Sequence, residues 1–168
     1  MQHEGHQFAE WLISEGYTAF VLKYRMPNKH KEVPLEDVTQ AITYVRAMSE
    51  ELGLDKVGVA GFSAGGHLAA TASTLFISDN SRPDFSMLFY PVISMGEYAH
   101  KGSRNNLLGD TPSQNDLELS SLEKQIKDNT PPTILLLSND DRTVSSLNSA
   151  MYYQSLKEKN IPATMYIF

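Results

Sequence analysis

The sequence contains no cysteine among its 168 residues. Disulfide bonds, thiolate catalysis and cysteine metal sites are therefore excluded, although this absence does not choose a cellular compartment. Histidine does not replace cysteine as a metal ligand in an obvious way. The stretch "HEGH" at residues 3–6 lacks the spacing of the zinc motif H-E-x-x-H, and no third ligand can be identified. We predict no metal site.

Basic residues and long hydrophobic runs are also scarce. The 14 Lys and Arg residues stand against 20 Asp and Glu, which gives a formal net charge of -6, and no basic cluster follows one face. This pattern argues against a nucleic-acid partner. No apolar run approaches the ~18 residues of a membrane span, and the N-terminus lacks the regions of a signal peptide. We expect a soluble, unexported chain with no membrane contact, cytoplasmic by default.

What the sequence does contain is an alternation of two hydrophobic periods, in a composition typical of one globular domain. Helical spacing predicts helices at residues 4–16, 34–53, 64–77 and 145–160. Short β-branched or aromatic runs predict strands at residues 17–24, 56–60, 85–93, 133–138 and 163–168. Strands separated by helices imply right-handed crossovers. The predicted fold class is α/β, with a mainly parallel sheet and helices on both of its faces.

One long segment, residues 94–132, interrupts this alternation. It holds a single helical candidate, at residues 116–127. Connections of this length inside a compact domain are more often functional loops than plain connectors. We therefore predict one domain over residues 1–168 with a lid-like or irregular insertion at about 94–132.

The stretch "GFSAG", Gly61 to Gly65, matches the G-x-S-x-G nucleophile elbow, with a predicted strand before it and a helix after it. Ser63 is the predicted nucleophile, held in a strained turn above the carboxyl edge of the sheet. Gly61 and Gly65 are expected because a Cβ at either position would collide with its surroundings. The Ala64 N–H, at the positive end of the helix, is the predicted oxyanion donor.

The alternative interpretation of this stretch is a glycine-rich turn used for phosphate binding or for tight packing alone. Its spacing does not fit a dinucleotide fingerprint, and it lacks the lysine of a P-loop. A serine nucleophile also needs a base and an orienting acid. Asp140 and Asp141 follow the strand at 133–138 and could supply the acid, or could simply cap the next helix.

Several segments together carry a family resemblance: "GYTAFVLKYRMP", "LEDVTQAITYVR", "GVAGFSAGGHLAA", "YPVISM", "NLLGDTP" and "TPPTILLLSNDDRTV". In this order they resemble the α/β-hydrolase superfamily, specifically its acetyl-xylan-esterase-like esterase/lipase group. The resemblance places the acid in a D-x-x-V-P turn, which selects Asp141 and has Ser145 in place of proline. It implies a serine-dependent ester hydrolase that deacetylates a carbohydrate or small ester and needs no cofactor.

The sequence departs from the group at both ends. The group's catalytic histidine follows the strand that "ATMYIF" represents, and its H-G-G-G oxyanion loop precedes the helix beginning near Glu4. We therefore expect a fold lacking the first strands and the last loop or helix, nearly inert alone and prone to self-association through its exposed edge and face. The alternatives are a non-catalytic hydrolase-like binding module, or a peptidase or thioesterase on the same scaffold.

None of the five histidines is an obvious substitute base. His67 lies on the helix body four residues after Ser63, where we expect a structural role with a bond to a neighbouring loop. His30 and His100 are expected to be solvated loop residues. The tyrosine pair at 152–153 is expected to serve packing rather than substrate binding.

Overall fold

Four parallel strands form the sheet on which the rest of the chain is arranged. The computed structural model describes residues 2–168, and its strands are β1 (Gly58–Phe62), β2 (Phe85–Phe89), β3 (Thr133–Leu137) and β4 (Ala163–Ile167). They lie side by side in the order β1-β2-β3-β4, so consecutive strands are neighbours. Because all the pairings are parallel, the carboxyl ends of the strands meet at one edge. The predicted α/β class is confirmed.

Seven α-helices accompany the sheet in the described part of the chain: α1 (Phe8–Ser14), α2 (Glu32–Ala47), α3 (Ser49–Leu52), α4 (Ser63–Thr74), α5 (Lys101–Leu108), α6 (Gln114–Ser120) and α7 (Leu147–Glu158). A π-helical turn, Gln2–Gln7, precedes α1. No helix within residues 2–168 is long and apolar enough to cross a membrane.

The main core lies between one face of the sheet and the helices α4 and α7. Ala69 and Ala70 of α4 are buried there, and these small side chains let the helix approach the strands closely. Leu88 and Leu135 project from β2 and β3 into the same cluster. The α7 residue Tyr152 is fully buried in it, as expected for a packing residue. A second cluster joins α2 to the outer side of α4.

The opposite face of the sheet is covered by α1 over part of its area only. The ring of Phe8 meets Phe62 and Phe89 edge to face, with centroid distances of 5.3 and 5.1 Å. Farther along the same face, Ile134 and Tyr166 remain 40% and 53% exposed. Helices therefore lie on both faces, as predicted, but the second face keeps an apolar area open.

The predicted strand at residues 17–24 is wrong. This segment has an extended, irregular backbone, and its large side chains Tyr17, Phe20 and Leu22 are exposed. A strand exists only where a neighbour satisfies its backbone N–H and C=O groups. Within residues 2–168 the sheet offers this segment no partner, so an aromatic and β-branched composition was not sufficient.

The segment 94–132 is more ordered than the sequence suggested. The predicted helix at 116–127 begins earlier and divides into α6 and a short 3₁₀ turn, Leu122–Lys124. The helix α5 was not predicted, since only its last two residues are apolar. Leu122 is fully buried in the main core, and Met95 is fully buried in a third cluster with Val92 and Val144. The segment is thus anchored to the domain at its start, through Met95, and again at Leu122.

Candidate active site

The nucleophile candidate lies at the turn between β1 and α4. Phe62 has an extended backbone, and Ser63 then adopts a φ of 51°, in the left-handed region that side chains other than glycine rarely occupy. The turn is therefore strained at the serine. Ser63 is half-buried and Ala64 is exposed, so the first turn of a 12-residue helix opens toward solvent at this point. The free N–H groups of that turn favour a developing negative charge.

The glycines around Ser63 do not share one role. A Cβ added to Gly61 would overlap the carbonyl oxygen of Gly65, so the predicted collision exists there. The prediction for Gly65 is wrong, because a Cβ on it would meet nothing closer than the Tyr24 Oη at 3.9 Å. The tight position is Gly66, whose Cβ would lie 2.8 Å from the Pro91 Cβ. Gly66, not Gly65, faces the segment against which α4 packs.

That segment, immediately after β2, is fixed to the first turns of α4 by two hydrogen bonds. The Val92 N–H donates to the Ser63 carbonyl oxygen at 3.1 Å. The His67 Nδ1 lies 3.2 Å from the Val92 carbonyl oxygen, which can only accept, so Nδ1 carries the proton. Burial lowers the pKa of His67 to about 4 and keeps the ring neutral. The predicted structural role of His67 is confirmed.

The two acids after β3 have different surroundings. Asp141 is half-buried, and its Oδ1 accepts hydrogen bonds from the backbone N–H groups of Thr143 and Val144 at 2.8 and 3.0 Å. Asp140 is exposed and accepts only from the Ser138 hydroxyl. Asp141 also lines a cavity of about 440 Å³. The structure thus orients the carboxylate of Asp141, while Asp140 lies at the surface.

Tyr90 occupies the position between these two candidates. In the strand register Phe62 lies opposite Phe89, so the next residues, Ser63 and Tyr90, both follow the carboxyl ends of adjacent strands. Tyr90 has a φ of 36°, and its hydroxyl donates to the Glu4 carboxylate at 2.9 Å. Burial, reinforced by Glu4, raises the pKa of Tyr90 to about 12. The sequence analysis missed Tyr90 because the strand predicted at 85–93 ran past it, whereas β2 ends at Phe89.

Asn148 joins the turn that carries Asp141, residues 141–145, to the beginning of the 94–132 segment. It is fully buried, and its Oδ1 accepts from the backbone N–H groups of Ile93 and Ser94, both at 2.9 Å. Its Nδ2 donates to the carbonyl oxygens of Tyr98 and Ser145 at 3.0 and 3.1 Å. All four of its hydrogen-bonding valences are used. The sequence analysis missed this residue too, although a polar side chain within the apolar stripe of α7 was a signal.

Within residues 2–168, no histidine is hydrogen-bonded to Ser63 or Asp141. His30 is exposed in a loop, as predicted. The prediction for His100 is wrong, because its half-buried ring caps α5 by accepting from the Ser103 backbone N–H at 3.2 Å. A cap satisfies a backbone donor that the helix cannot satisfy itself. No cluster of three His, Asp or Glu side chains in the described chain is arranged to hold a metal ion.

Sequence comparisons identify a matching family and two similar curated proteins. The BD-FAE family model matches residues 1–156. The chain is 37% identical to endo-1,4-beta-xylanase B of Butyrivibrio fibrisolvens, over 99% of the chain and 29% of that protein. It is 36% identical to an acetylxylan esterase of Xylanibacter ruminicola, over 99% of the chain and 36% of that protein. The chain therefore spans about a third of the length of these curated relatives.

Comparison of structures gives the same grouping. An acetyl ester-xyloside bifunctional hydrolase from Caldicellulosiruptor lactoaceticus superposes with a TM-score of 0.94 at 41% identity, over 100% of this chain and 66% of that one. A sugar hydrolase from Lactococcus lactis superposes with a TM-score of 0.83 at 25% identity, over 99% and 67%. The chain belongs to the BD-FAE family and has the α/β-hydrolase fold, of which it spans about two thirds.

Proposed function

We propose that the chain carries the nucleophile and the acid of a serine-dependent carboxylic ester hydrolase. In this proposal Ser63 attacks the ester carbonyl, the Ala64 N–H stabilises the oxyanion, and Asp141 orients a histidine base. The observation that carries the proposal is the left-handed backbone of Ser63 at the start of α4. Strained backbone at a non-glycine residue is concentrated at functional sites. Here the strain would serve to expose a nucleophile beside the free N–H groups of the helix.

The proposal assigns the base to none of the histidines of the described chain, because none of them is hydrogen-bonded to Ser63 or Asp141. His67 is engaged with Val92 and His100 with Ser103. The proposal therefore requires a histidine from outside these 168 residues, brought between Ser63 and Asp141. Loss of a triad member costs on the order of 10⁴ to 10⁶ in kcat. This chain alone is expected to be nearly inert.

The proposed substrate is a carbohydrate ester with a small acyl group such as acetyl. Support comes from the names of two relatives, an acetylxylan esterase and an acetyl ester-xyloside bifunctional hydrolase. The open cavity beside Asp141 is lined mainly by polar residues, among them Asn139, Arg142 and Thr143. Such a surface suits a hydroxylated alcohol group. Neither metal nor organic cofactor is needed for this chemistry.

The segment 94–132 is proposed to act as a lid-like insertion of the single domain. Its helices α5 and α6 are attached to the segment before α2 by polar contacts. The Lys29 N–H donates to the Asn106 carbonyl oxygen at 3.1 Å, and Lys31 forms an ion pair with Asp116.

Restoration of the missing base by free imidazole tests the proposed function. We expect imidazole to increase the rate of p-nitrophenyl acetate hydrolysis in proportion to protein concentration. Ser63→Ala should remove the protein-dependent part of that rate, and Asp141→Asn should reduce it. The same imidazole with Ser63→Ala measures the background reaction. A protein-dependent rate that persists in Ser63→Ala would contradict the proposal.

A non-catalytic binding module is the second candidate, favoured by the absence of a histidine beside Ser63 in the described chain. Labelling with a fluorophosphonate probe separates the two. Stoichiometric modification that maps to Ser63 and speeds up with imidazole supports the hydrolase. Protein that stays unlabelled after long exposure to the probe, with or without imidazole, supports the binding module. Aminoacyl anilides and thioesters, tested beside the ester, address the peptidase and thioesterase alternatives.

We also propose that the chain self-associates through the open face of the sheet. The exposed side chains of Ile134 and Tyr166 lie on that face, beside the part that α1 covers. A contiguous apolar area is a common site of association between chains.

A further inference from the structure

A second cavity, of about 300 Å³, lies beside the first turns of α4. Three parts of the chain enclose it: α4, the segment from Tyr24 to the start of α2, and the 94–132 segment. Most of its lining is apolar and includes Met26, Leu35, Leu68 and Met95. A cavity of about 150 Å³ with such a lining holds a benzene molecule. This one has room for a substituted six-membered ring or an aliphatic chain of similar size.

The cavity reaches the proposed active site through Ala64. This exposed residue forms part of the cavity wall, and it directly follows Ser63 in the chain. Tyr24 also lines the cavity, and its hydroxyl is the nearest group to the open side of Gly65. A molecule in the cavity would therefore lie beside the first turn of α4.

The histidine in the cavity wall has one polar valence without a partner in the described chain. His67 lines the cavity and is 8% exposed. Its Nδ1–H donates to the Val92 carbonyl oxygen, so in the neutral ring Nε2 carries a lone pair and can only accept. Nε2 makes no hydrogen bond within residues 2–168, although the residue is more than nine-tenths buried. His67 thus contributes to the cavity wall while most of its surface is buried.

We propose that this cavity binds a neutral, mostly apolar group that carries one hydroxyl, with the His67 Nε2 accepting a hydrogen bond from that hydroxyl. The mostly apolar wall disfavours charged and multiply hydroxylated groups, since most of their lost hydration would not be replaced. The His67 Nε2 acceptor favours a donor over an ether or hydrocarbon of the same shape, because a buried acceptor left unpaired is costly. Binding in this cavity does not require the Ser63 hydroxyl.

The proposal is tested by comparing the binding of cyclohexanol with that of methoxycyclohexane. The two compounds share the same ring, but only cyclohexanol has a hydroxyl that can donate a hydrogen bond. The ¹³C-labelled methionine methyl groups report where each binds, because Met26 and Met95 line the cavity whereas Met87, Met151 and Met165 do not. We expect saturable shifts at Met95, with cyclohexanol binding roughly three- to ten-fold more tightly than the ether. Shifts spread evenly over all methionines, or none at Met95, would overturn the site.

Two further measurements isolate the parts of the proposal. In ¹⁵N-histidine-labelled protein, cyclohexanol should move the His67 Nε2 resonance, and the ether should not. Equal binding of the two compounds with an unmoved Nε2 would overturn the role of His67. Leu35→Trp should fill the cavity and abolish the Met95 shift, while Tyr44→Trp, an exposed position on the same helix, should leave it unchanged.

Ser63→Ala separates this site from the proposed hydrolase. The substitution removes the nucleophile and leaves the cavity intact, so cyclohexanol should bind as it does to the unsubstituted chain. Cyclohexanol binding at Met95 in a chain that shows no Ser63-dependent hydrolysis, even with imidazole, would contradict the proposed function alone. Hydrolysis that depends on Ser63, together with no cyclohexanol binding at Met95, would contradict the cavity proposal alone.

Discussion

At the scale of single residues, Gly61 and Gly65 make a matched pair with opposite expectations. Gly61→Ala places a methyl group onto the Gly65 carbonyl oxygen, and backbone cannot move aside cheaply. We expect a loss of at least about 3 kcal/mol in the free energy of unfolding. Gly65→Ala finds open space on a helix and should stabilise the fold by about 0.5 to 1 kcal/mol.

Urea denaturation of the two glycine variants beside the unsubstituted chain measures both effects. Each variant is the other's control, since the two differ only in where the same methyl group is added. A Gly65→Ala variant as unstable as Gly61→Ala would mean that the first turn of α4 is tighter than the structure shows. The residue type was predictable from the motif, whereas the division of roles between Gly65 and Gly66 was not, because it depends on where Pro91 packs.

His67 gives a pH dependence of stability with a definite sign. Burial lowers its pKa from 6.5 to about 4 in the folded chain. Between these pH values the unfolded chain binds a proton at this ring that the folded chain does not, so stability falls as the pH drops from 6.5 toward 4. The full contribution, about 3 kcal/mol, is present above pH 6.5.

Unfolding free energies measured by urea across this pH range test the contribution of His67. His67→Gln should flatten the curve between pH 4 and 6.5, whatever its effect on absolute stability. His30→Gln, at an exposed loop position, should leave the slope as it is. Parallel curves for His67→Gln and the unsubstituted chain would show that the ring does not stay neutral when folded.

At the scale of elements, Asn148 is the point where α7 holds the start of the 94–132 segment. Asn148→Asp keeps the shape but turns the Nδ2 donor into an oxygen facing the Tyr98 and Ser145 carbonyl oxygens. We expect a loss of about 2 to 4 kcal/mol, since two buried acceptors lose their donor and a charge is buried.

Asn115→Asp is the matched control for that substitution. Asn115 is exposed on α6, and the same chemical change should alter the unfolding free energy by less than about 0.5 kcal/mol. If Asn148→Asp were equally mild, the turn that carries Asp141 and the insertion would not be joined through this side chain.

The elements that the sequence predicted well are those whose hydrophobic pattern matches a partner inside the chain. The apolar stripe of α2, with Val38 and Ile42, packs against α4, and the small residues of α4 pack against the sheet. The segment 17–24 has as strong a strand pattern but no neighbour to pair with in the described chain. The helix α5 forms without an apolar stripe, with a cap from His100 that spacing alone does not predict.

At the scale of the whole molecule, the open face of the sheet and the exposed side chains of residues 17–26 are large apolar features without a cover in the described structure. On the sheet, Ile134 and Tyr166 lie on the face that α1 leaves open, next to the place where Phe8 packs against Phe89. Burial of apolar area is the dominant favourable term in association. We therefore expect concentration-dependent self-association. The average molecular mass measured by sedimentation or light scattering should rise as the protein concentration increases from about 1 to about 100 μM.

The double substitution Ile134→Thr and Tyr166→Thr tests whether that face is responsible. Threonine keeps a good strand former at both positions while removing most of the apolar area. Burying a large apolar side chain is worth about 1.5 to 3 kcal/mol, so the dissociation constant should rise at least roughly ten-fold for the pair. Ile77→Thr removes a more exposed isoleucine, just beyond the end of α4, and should not change it. A clean monomer at a hundred micromolar (order of magnitude) would rule out association, and an Ile77→Thr variant that dissociates as readily would place the contact elsewhere.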